Sequence, residues 1–257
     1  MLPGRCWAPR FWRSLAVALD PVPVQHLIFD LDDTLVDTLG FLVQPAINEA
    51  CQAMIDAGLK TDLQACKTKY DELFRSSPRQ NIYSEIVQAM GVQNGKTPED
   101  VAQAGVLAFY DREIKEDITP FPGTVETLEK LRQIFSLHLV TFGTPKTQRK
   151  KIDLLKIGHL FSDINIVDVA REKEKKSAFK KLLYSFPKLE PKAFVSIGNR
   201  IDSEIRCGKE LKMQTILMLH GEYLHLEARD DLEIPDACIE QIPELLNFFK
   251  SRLGGKS

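Results

Sequence analysis

A doubly wound α/β core with a parallel sheet, interrupted after its first strand by an all-helical insert, is the fold this 257-residue chain predicts. Three observations predict it. The apolar run His26-Leu27-Ile28-Phe29 reads as a short buried strand. Roughly residues 40–115 then carry only helical periodicity. Beyond residue 117 strand-like and helix-like segments alternate, the grammar of a parallel sheet covered on both faces.

Taken in order, Pro45 opens an apolar stripe of Ala46, Ile47, Ala50, Cys51, Met54 and Ile55 at helical spacing, closed by Gly58. Thr61 with Gln64 reads as a capping box for a helix toward Phe74. A third helix covers about Ile82–Met90. Thr97-Pro98-Glu99-Asp100 supplies a cap, a first-turn proline and first-turn acids, and its helix is expected to run to about Lys115. The turn Phe121-Pro122-Gly123 precedes a helix over Thr124–Gln133 and a strand over Ser136–Thr141. A helix across Lys146–Lys156 ends at Gly158; a strand near Ile164–Val167 and a helix near Lys176–Tyr184 follow. Strand Ala193–Ile197, helix Ser203–Leu211, strand Gln214–Leu219 and a helix over Gln241–Arg252 complete the pattern. The expected division is an extension over residues 1–23, a core from 24–39 and 117–257, and a helical domain over 40–116.

Composition excludes several classes. A formal charge of -2 argues against a nucleic-acid-binding domain, which carries a basic surface. The 5 cysteines are odd in number and form no C-x-x-C pair, which fits a reducing, cytoplasmic setting rather than a disulfide framework. The 5 histidines form no H-x-x-x-H pair, and His220 and His225 flank an expected loop, so zinc has little support. No stretch reaches the roughly 18 consecutive apolar residues of a membrane span. The first twenty residues hold Arg5, Arg10 and Arg13 and no acid before Asp20. A transit peptide, a membrane-surface anchor and an over-called start all fit that composition; a disordered or non-native extension is the reading preferred. Oligomeric state is not legible.

Behind the first strand stand Asp30-Leu31-Asp32-Asp33-Thr34. In an extended segment Asp30 and Asp32 point to one face, at the strand end where α/β sheets bind ligands. Two like charges that close require a cation or a proton. An Asp-rich turn is the plainer reading of these residues alone. Parallel strands would bring three further features to the same edge. These are the Thr141 hydroxyl, the basic cluster Arg171-Glu172-Lys173-Glu174-Lys175-Lys176, and the polar run Gly198-Asn199-Arg200-Ile201-Asp202-Ser203-Glu204. A hydroxyl, an ammonium and a carboxylate-held cation suit phosphoryl transfer, where positioning and charge neutralisation supply most of the catalysis.

With Asp30-x-Asp32-x-Thr34, Thr141 and Phe121-Pro122-Gly123-Thr124 in these positions, residues 24–250 resemble the haloacid dehalogenase superfamily, helical-cap phosphatase branch. The resemblance implies a Rossmann-like core with an inserted cap domain. It implies Asp30 as nucleophile, forming an aspartyl-phosphate, and Asp32 as acid and then base. Asp32 tilts the reading to a magnesium-dependent phosphatase, because the dehalogenase branch lacks that second acid and needs no metal. Thr141 would bind the transferring group, Thr34 would fix the loop, and Asp33 is expected to be a solvated or turn-capping acid.

The family's phosphate-binding lysine lies six residues ahead of a phenylalanine; counting back from Phe179 selects Lys173, with Lys175 and Lys176 as rivals. The fourth motif departs from the pattern, because Asn199 stands where a magnesium-ligating acid is usual. The metal would then be held by Asp30, Asp32 and Asn199, with further charge from Asp202 or Glu204. Expected partners are magnesium and a small phosphorylated substrate. The substrate itself is beyond reach, and Phe41, Arg75, Arg79 and Tyr83 of the helical domain either face it or pack elsewhere. Asn199 keeps a second function open, that of a catalytically weak or inactive relative binding a phosphorylated ligand or protein.

Overall fold

Strand β1 (His26–Phe29) is buried along its whole length, as a central strand with both faces covered must be. It pairs in parallel with β2 (Ser136–Gly143) on one side and β4 (Phe194–Gly198) on the other. The computed structural model describes residues 19, 23–74, 79–110 and 117–250, the side chains of 79 and 80 excepted. With β3 (Asp163–Asp168), β5 (Gln214–Met218) and β6 (Ala237–Ile239), these form a six-stranded parallel sheet in the order β3-β2-β1-β4-β5-β6. The order reverses direction between β1 and β4, and the crevice at such a switch point is where doubly wound sheets hold ligands.

The described residues divide into two compact units, one within Met1–Thr38 and Asp117–Ser257, the other within Leu39–Glu116. In the first unit, Ile28, Val140 and Val167 on one sheet face pack with Phe179 and Leu182 of a helix over Lys176–Ser185. Phe29, on the opposite face, meets Phe161 edge-on with ring centroids 6.3 Å apart. Helix α5 (Thr124–Leu131) precedes β2, and α6 (Pro145–Leu155) follows it; the helix over Lys176–Ser185 is α7.

The second unit consists, among the described residues, of α1 (Gln44–Ala57), α2 (Leu63–Phe74), α3 (Arg79–Met90) and α4 (Pro98–Tyr110), preceded by a wide turn over Leu39–Val43. The stripe Ile47, Ala50, Cys51 and Met54 is buried against Tyr70, Ile82, Tyr83, Ile86 and Val101. Each such large apolar side chain contributes about 1.5–3 kcal/mol on burial. Gly58 ends α1 at φ 117°, a conformation only glycine adopts cheaply. Tyr83 therefore belongs to this core, Phe41 is half-buried in the wide turn, and Arg75 lies outside the described residues. The extension over 1–23 lies almost wholly outside them, as do residues 111–116, over which the sequence predicts the last part of α4.

Several boundaries differ from the sequence expectation. The cap of α2 is Asp62, whose carboxylate accepts the Ala65 N–H at 2.9 Å, rather than Thr61. Helix α6 ends on Lys156 in the left-handed conformation, two residues before Gly158. The segment expected as a helix from Ser203 begins with a π-helical turn over Ile201–Ile205, where the Ile205 N–H reaches back to Arg200 O at 3.2 Å; only Arg206–Glu210 (α8) is α-helical. Strand β6 has no counterpart in the sequence pattern: three residues behind Pro235 carry no periodicity, and only pairing with β5 makes them a strand. The last helix among the described residues, α9, covers Leu245–Phe248 behind a capping box of Gln241 and Glu244.

Candidate active site

The register decides which side chains meet. Phe29 stands opposite Leu139 of β2 and Ile197 of β4, and the Asp30 N–H donates to Ile197 O at 2.9 Å. Asp30 thus sits one step beyond the strand, level with Val140 and Gly198, and Thr141 and Asn199 lie one residue further along the flanking strands.

Asp30 is 6% exposed, and its Oδ1 lies 2.5 Å from Lys175 Nζ. The same ammonium lies 2.7 Å from Glu204 Oε1, and both Lys175 and Glu204 are buried. Burial pushes the Asp30 carboxyl well above the usual range, against the pull of Lys175 and with help from the charges of Glu204 and Asp32. Burial acts the same way on Glu204, but there Lys175 outweighs it and holds the carboxylate ionised. Lys175 stays protonated because Asp30 and Glu204 overcome its own desolvation.

Asp32 is tied down at both oxygens. Its Oδ1 accepts from the Thr38 hydroxyl and from Lys151 Nζ, each at 2.6 Å, and its Oδ2 accepts from Gln148 Nε2 at 2.8 Å. Gln148 Nε2 also reaches the fully buried Thr141 Oγ1, at 2.5 Å, and so bridges the two motif residues. Burial raises the Asp32 carboxyl, but Lys151 and the hydrogen bonds from Thr38 and Gln148 hold it below its usual range.

Lys173 is the first correction. It is exposed in the turn after β3, where Arg171 and Glu172 bond back to Asp168. Lys175 occupies the cap position of α7, from which its side chain enters the sheet edge, while Lys176 turns outward to Glu210 at 2.6 Å. Counting from Phe179 fails because the cluster spends two further residues in that turn before the helix begins. Asp202 and Glu204 are the second. Asp202 forms a two-pronged pair with Arg200 at 3.0 and 2.8 Å, and the guanidinium lies 4.0 Å over the Tyr223 ring. Glu204 is committed to Lys175, to the Ser203 hydroxyl at 2.8 Å and to the Arg200 N–H at 3.2 Å.

Asn199 is 4% exposed and donates its amide N–H to His220 O at 3.3 Å, so its amide oxygen is the end that could meet a cation. Asp33 is not a solvated acid: it is buried, at φ 54°. Its carboxylate groups with Asp37 and His220, the last two 3.2 Å apart. Thr34 is fully buried and its hydroxyl finds no partner among the described residues; its N–H, bonded to Leu31 O at 3.3 Å, is what fixes the loop. Sequence reasoning missed Thr38, Gln148 and Lys151. The one signal in the sequence was that Gln148 and Lys151 share a face, three residues apart on a helix whose other polar residues face water.

The family model for haloacid dehalogenase-like hydrolases matches residues 27–218. The chain is 31% identical over 244 residues to a glyceraldehyde 3-phosphate phosphatase of Methanocaldococcus jannaschii, covering 89% of this chain and 98% of the relative. It is 30% identical over 238 residues to the enzyme of the same name from Methanopyrus kandleri, covering 87% and 96%. Among solved structures, the HAD-hydrolase YfnB of Bacillus subtilis, bound to magnesium, superposes with a TM-score of 0.59 at 20% identity. That match covers 88% of this chain and 98% of YfnB.

Proposed function

The chain belongs to the haloacid dehalogenase-like hydrolase family, and from that membership we propose that it is a magnesium-dependent phosphatase acting on a small phosphate monoester. The observation that carries the proposal is the buried Asp30–Lys175–Glu204 group beside the hydrogen-bonded Asp32–Gln148–Thr141 group. A nucleophile, an anion-binding ammonium and a proton carrier face one strand edge.

An oxygen of Asp30 attacks phosphorus in line. The phosphorus–oxygen bond to the leaving group breaks, its electron pair stays on the leaving oxygen, and Asp32 gives that oxygen a proton. The products are an alcohol and an aspartyl-phosphate on Asp30. Water then attacks phosphorus, Asp32 takes a proton from it, and Asp30 is released with inorganic phosphate. Lys175 binds the phosphoryl oxygens in place of Lys173, and the Thr141 hydroxyl donates to them.

The residues fit a magnesium ion. Asp30 and the Asn199 amide oxygen are hard oxygen donors, whereas both side-chain oxygens of Asp32 are taken by Thr38, Lys151 and Gln148. The site also carries three carboxylates, those of the buried Asp30 and Glu204 and the half-buried Asp32, against the two ammonium groups of Lys151 and Lys175. Magnesium, when bound by Asp30 and Asn199, would supply the missing positive charge to Asp30 and to the phosphoryl oxygens. Asp202 and Glu204, held by Arg200 and Lys175, are left out of that donor set.

The names of the two archaeal relatives support a short phosphorylated carbon compound as substrate, and glyceraldehyde 3-phosphate heads the set to screen. The proposal is tested by phosphate release from an aryl phosphate and from such compounds, with and without magnesium. Turnover that needs magnesium and vanishes in Asp30→Asn is the expected result. Release that survives Asp30→Asn sinks the aspartyl-phosphate. Tight binding of a phosphorylated compound without any release would favour the binding-protein reading that Asn199 leaves open.

A further inference from the structure

Helix α6 is basic and mostly solvated: Lys146, Arg149 and Lys150 are exposed. Two of its polar residues are not. Gln148 is 2% exposed and Lys151 7%. Withdrawing an ammonium from water is costly unless a paired charge compensates, so a lysine buried among solvated neighbours marks a specific partner. That partner is Asp32.

Lys151 and Thr38 meet one oxygen of Asp32 while Gln148 meets the other, so the carboxylate is held at both ends and cannot rotate without losing a bond. Gln148 additionally links it to Thr141. We propose that Lys151, with Gln148, is a positioning residue that holds the Asp32 carboxyl in one orientation, toward the leaving-group oxygen. This rests on the phosphatase reading above. As the phosphorus–oxygen bond breaks, the proton moves from Asp32 to the departing oxygen and a carboxylate appears on Asp32. Three donors already stand at the positions that this carboxylate requires.

The role predicts a dependence on the leaving group. An alkoxide needs its proton as it departs, whereas an acidic phenolate leaves without one. Lys151→Met and Gln148→Leu are assayed with magnesium on β-glycerophosphate and on dinitrophenyl phosphate, comparing kcat/KM, which reports the transfer to Asp30. The expected loss is roughly 10–100-fold on the alkyl ester, part of the contribution of a general acid, and less than about threefold on the dinitrophenyl ester. Lys150→Met, one residue away on the exposed face, should change neither. Circular dichroism checks the fold, and if Lys151→Met does not fold, Gln148→Leu decides alone. Equal losses on both esters, or none on either, overturn the positioning role while leaving the phosphatase reading intact. A wild-type protein without release dependent on Asp30 sinks both.

Discussion

Replacing Lys175 by methionine removes the ammonium that stands between two buried carboxylates. Its Nζ lies 2.5 Å from Asp30 and 2.7 Å from Glu204, with side-chain exposures of 3% for the lysine and 7% and 2% for the acids. Breaking a buried pair by deleting one partner costs about 3–5 kcal/mol, because the remaining charge has neither water nor a counter-ion. Here two charges are stranded, which argues for the upper part of that range. Proton uptake by Asp30, whose carboxyl burial already pushes upward, returns some of it. Lys173→Met, on an exposed turn, should stay within about 0.5 kcal/mol of wild type. Urea titration followed by circular dichroism measures both. A double variant, Lys175→Met with Glu204→Gln, should recover part of the loss, since neutralising Glu204 removes one stranded charge. Phosphate release separates the two lysines again: Lys175→Met should lose roughly 100-fold or more in kcat, the scale for removing one charge-stabilising donor, and Lys173→Met almost nothing. If Lys173→Met costs as much as Lys175→Met in either measurement, the assignment of the lysine is wrong. If the double variant is additive, Glu204 and Lys175 do not form one electrostatic unit.

Three further outcomes are expected. Asn199→Asp restores a carboxylate to the donor set and should lower the magnesium concentration for half-maximal phosphate release about tenfold, since ligand charge tunes affinity; an unchanged requirement shows that Asn199 is not a ligand. Gly198→Ala places a Cβ against Cγ of the buried Glu204, closer than real Cβ atoms come, so overpacking should cost about 1–3 kcal/mol in urea titration, and an unaltered midpoint would mean that Glu204 moves freely. His138, stacked on His26 with Nε2 3.0 Å from His26 Nδ1, is pushed down to about 4 by burial and by the neighbouring His26. Its native pKa lies below the ordinary value of 6.5, so the folded state binds fewer protons between those limits and stability falls as pH drops from 6.5 to about 4. That limb is worth about 3 kcal/mol; His138→Gln should flatten the urea midpoint across the window, and an unchanged slope would refute the assignment.

How far the site was legible follows from the range of each interaction. Asp30 and Asp32 announce themselves within three residues, because a strand end and a pair of carboxylates are both local patterns. Thr141 needs only the expectation that β2 lies beside β1 with matching ends, which a parallel sheet supplies. Lys175 could not be chosen over Lys173, since that choice turns on where the turn stops and α7 starts, a difference of two residues within a run of charged ones. Asp202 and Glu204 were both candidate metal ligands by spacing. The π-helical turn over Ile201–Ile205 and the reach of Arg200 decide their actual partners, and neither is written in the spacing.

Fold class, the alternation of elements and the strand edge on which the carboxylates sit are all legible in the order of the amino acids. Those properties follow from apolar periodicity and from the fixed geometry of strands and helices. Which charge neutralises which is settled only once the chain has folded. Lys151 is 119 residues from Asp32, and no local rule connects them. Burial sets the value of those pairings, since a lysine in water is interchangeable with its neighbours and a lysine withdrawn from water is defined by the one carboxylate it can reach.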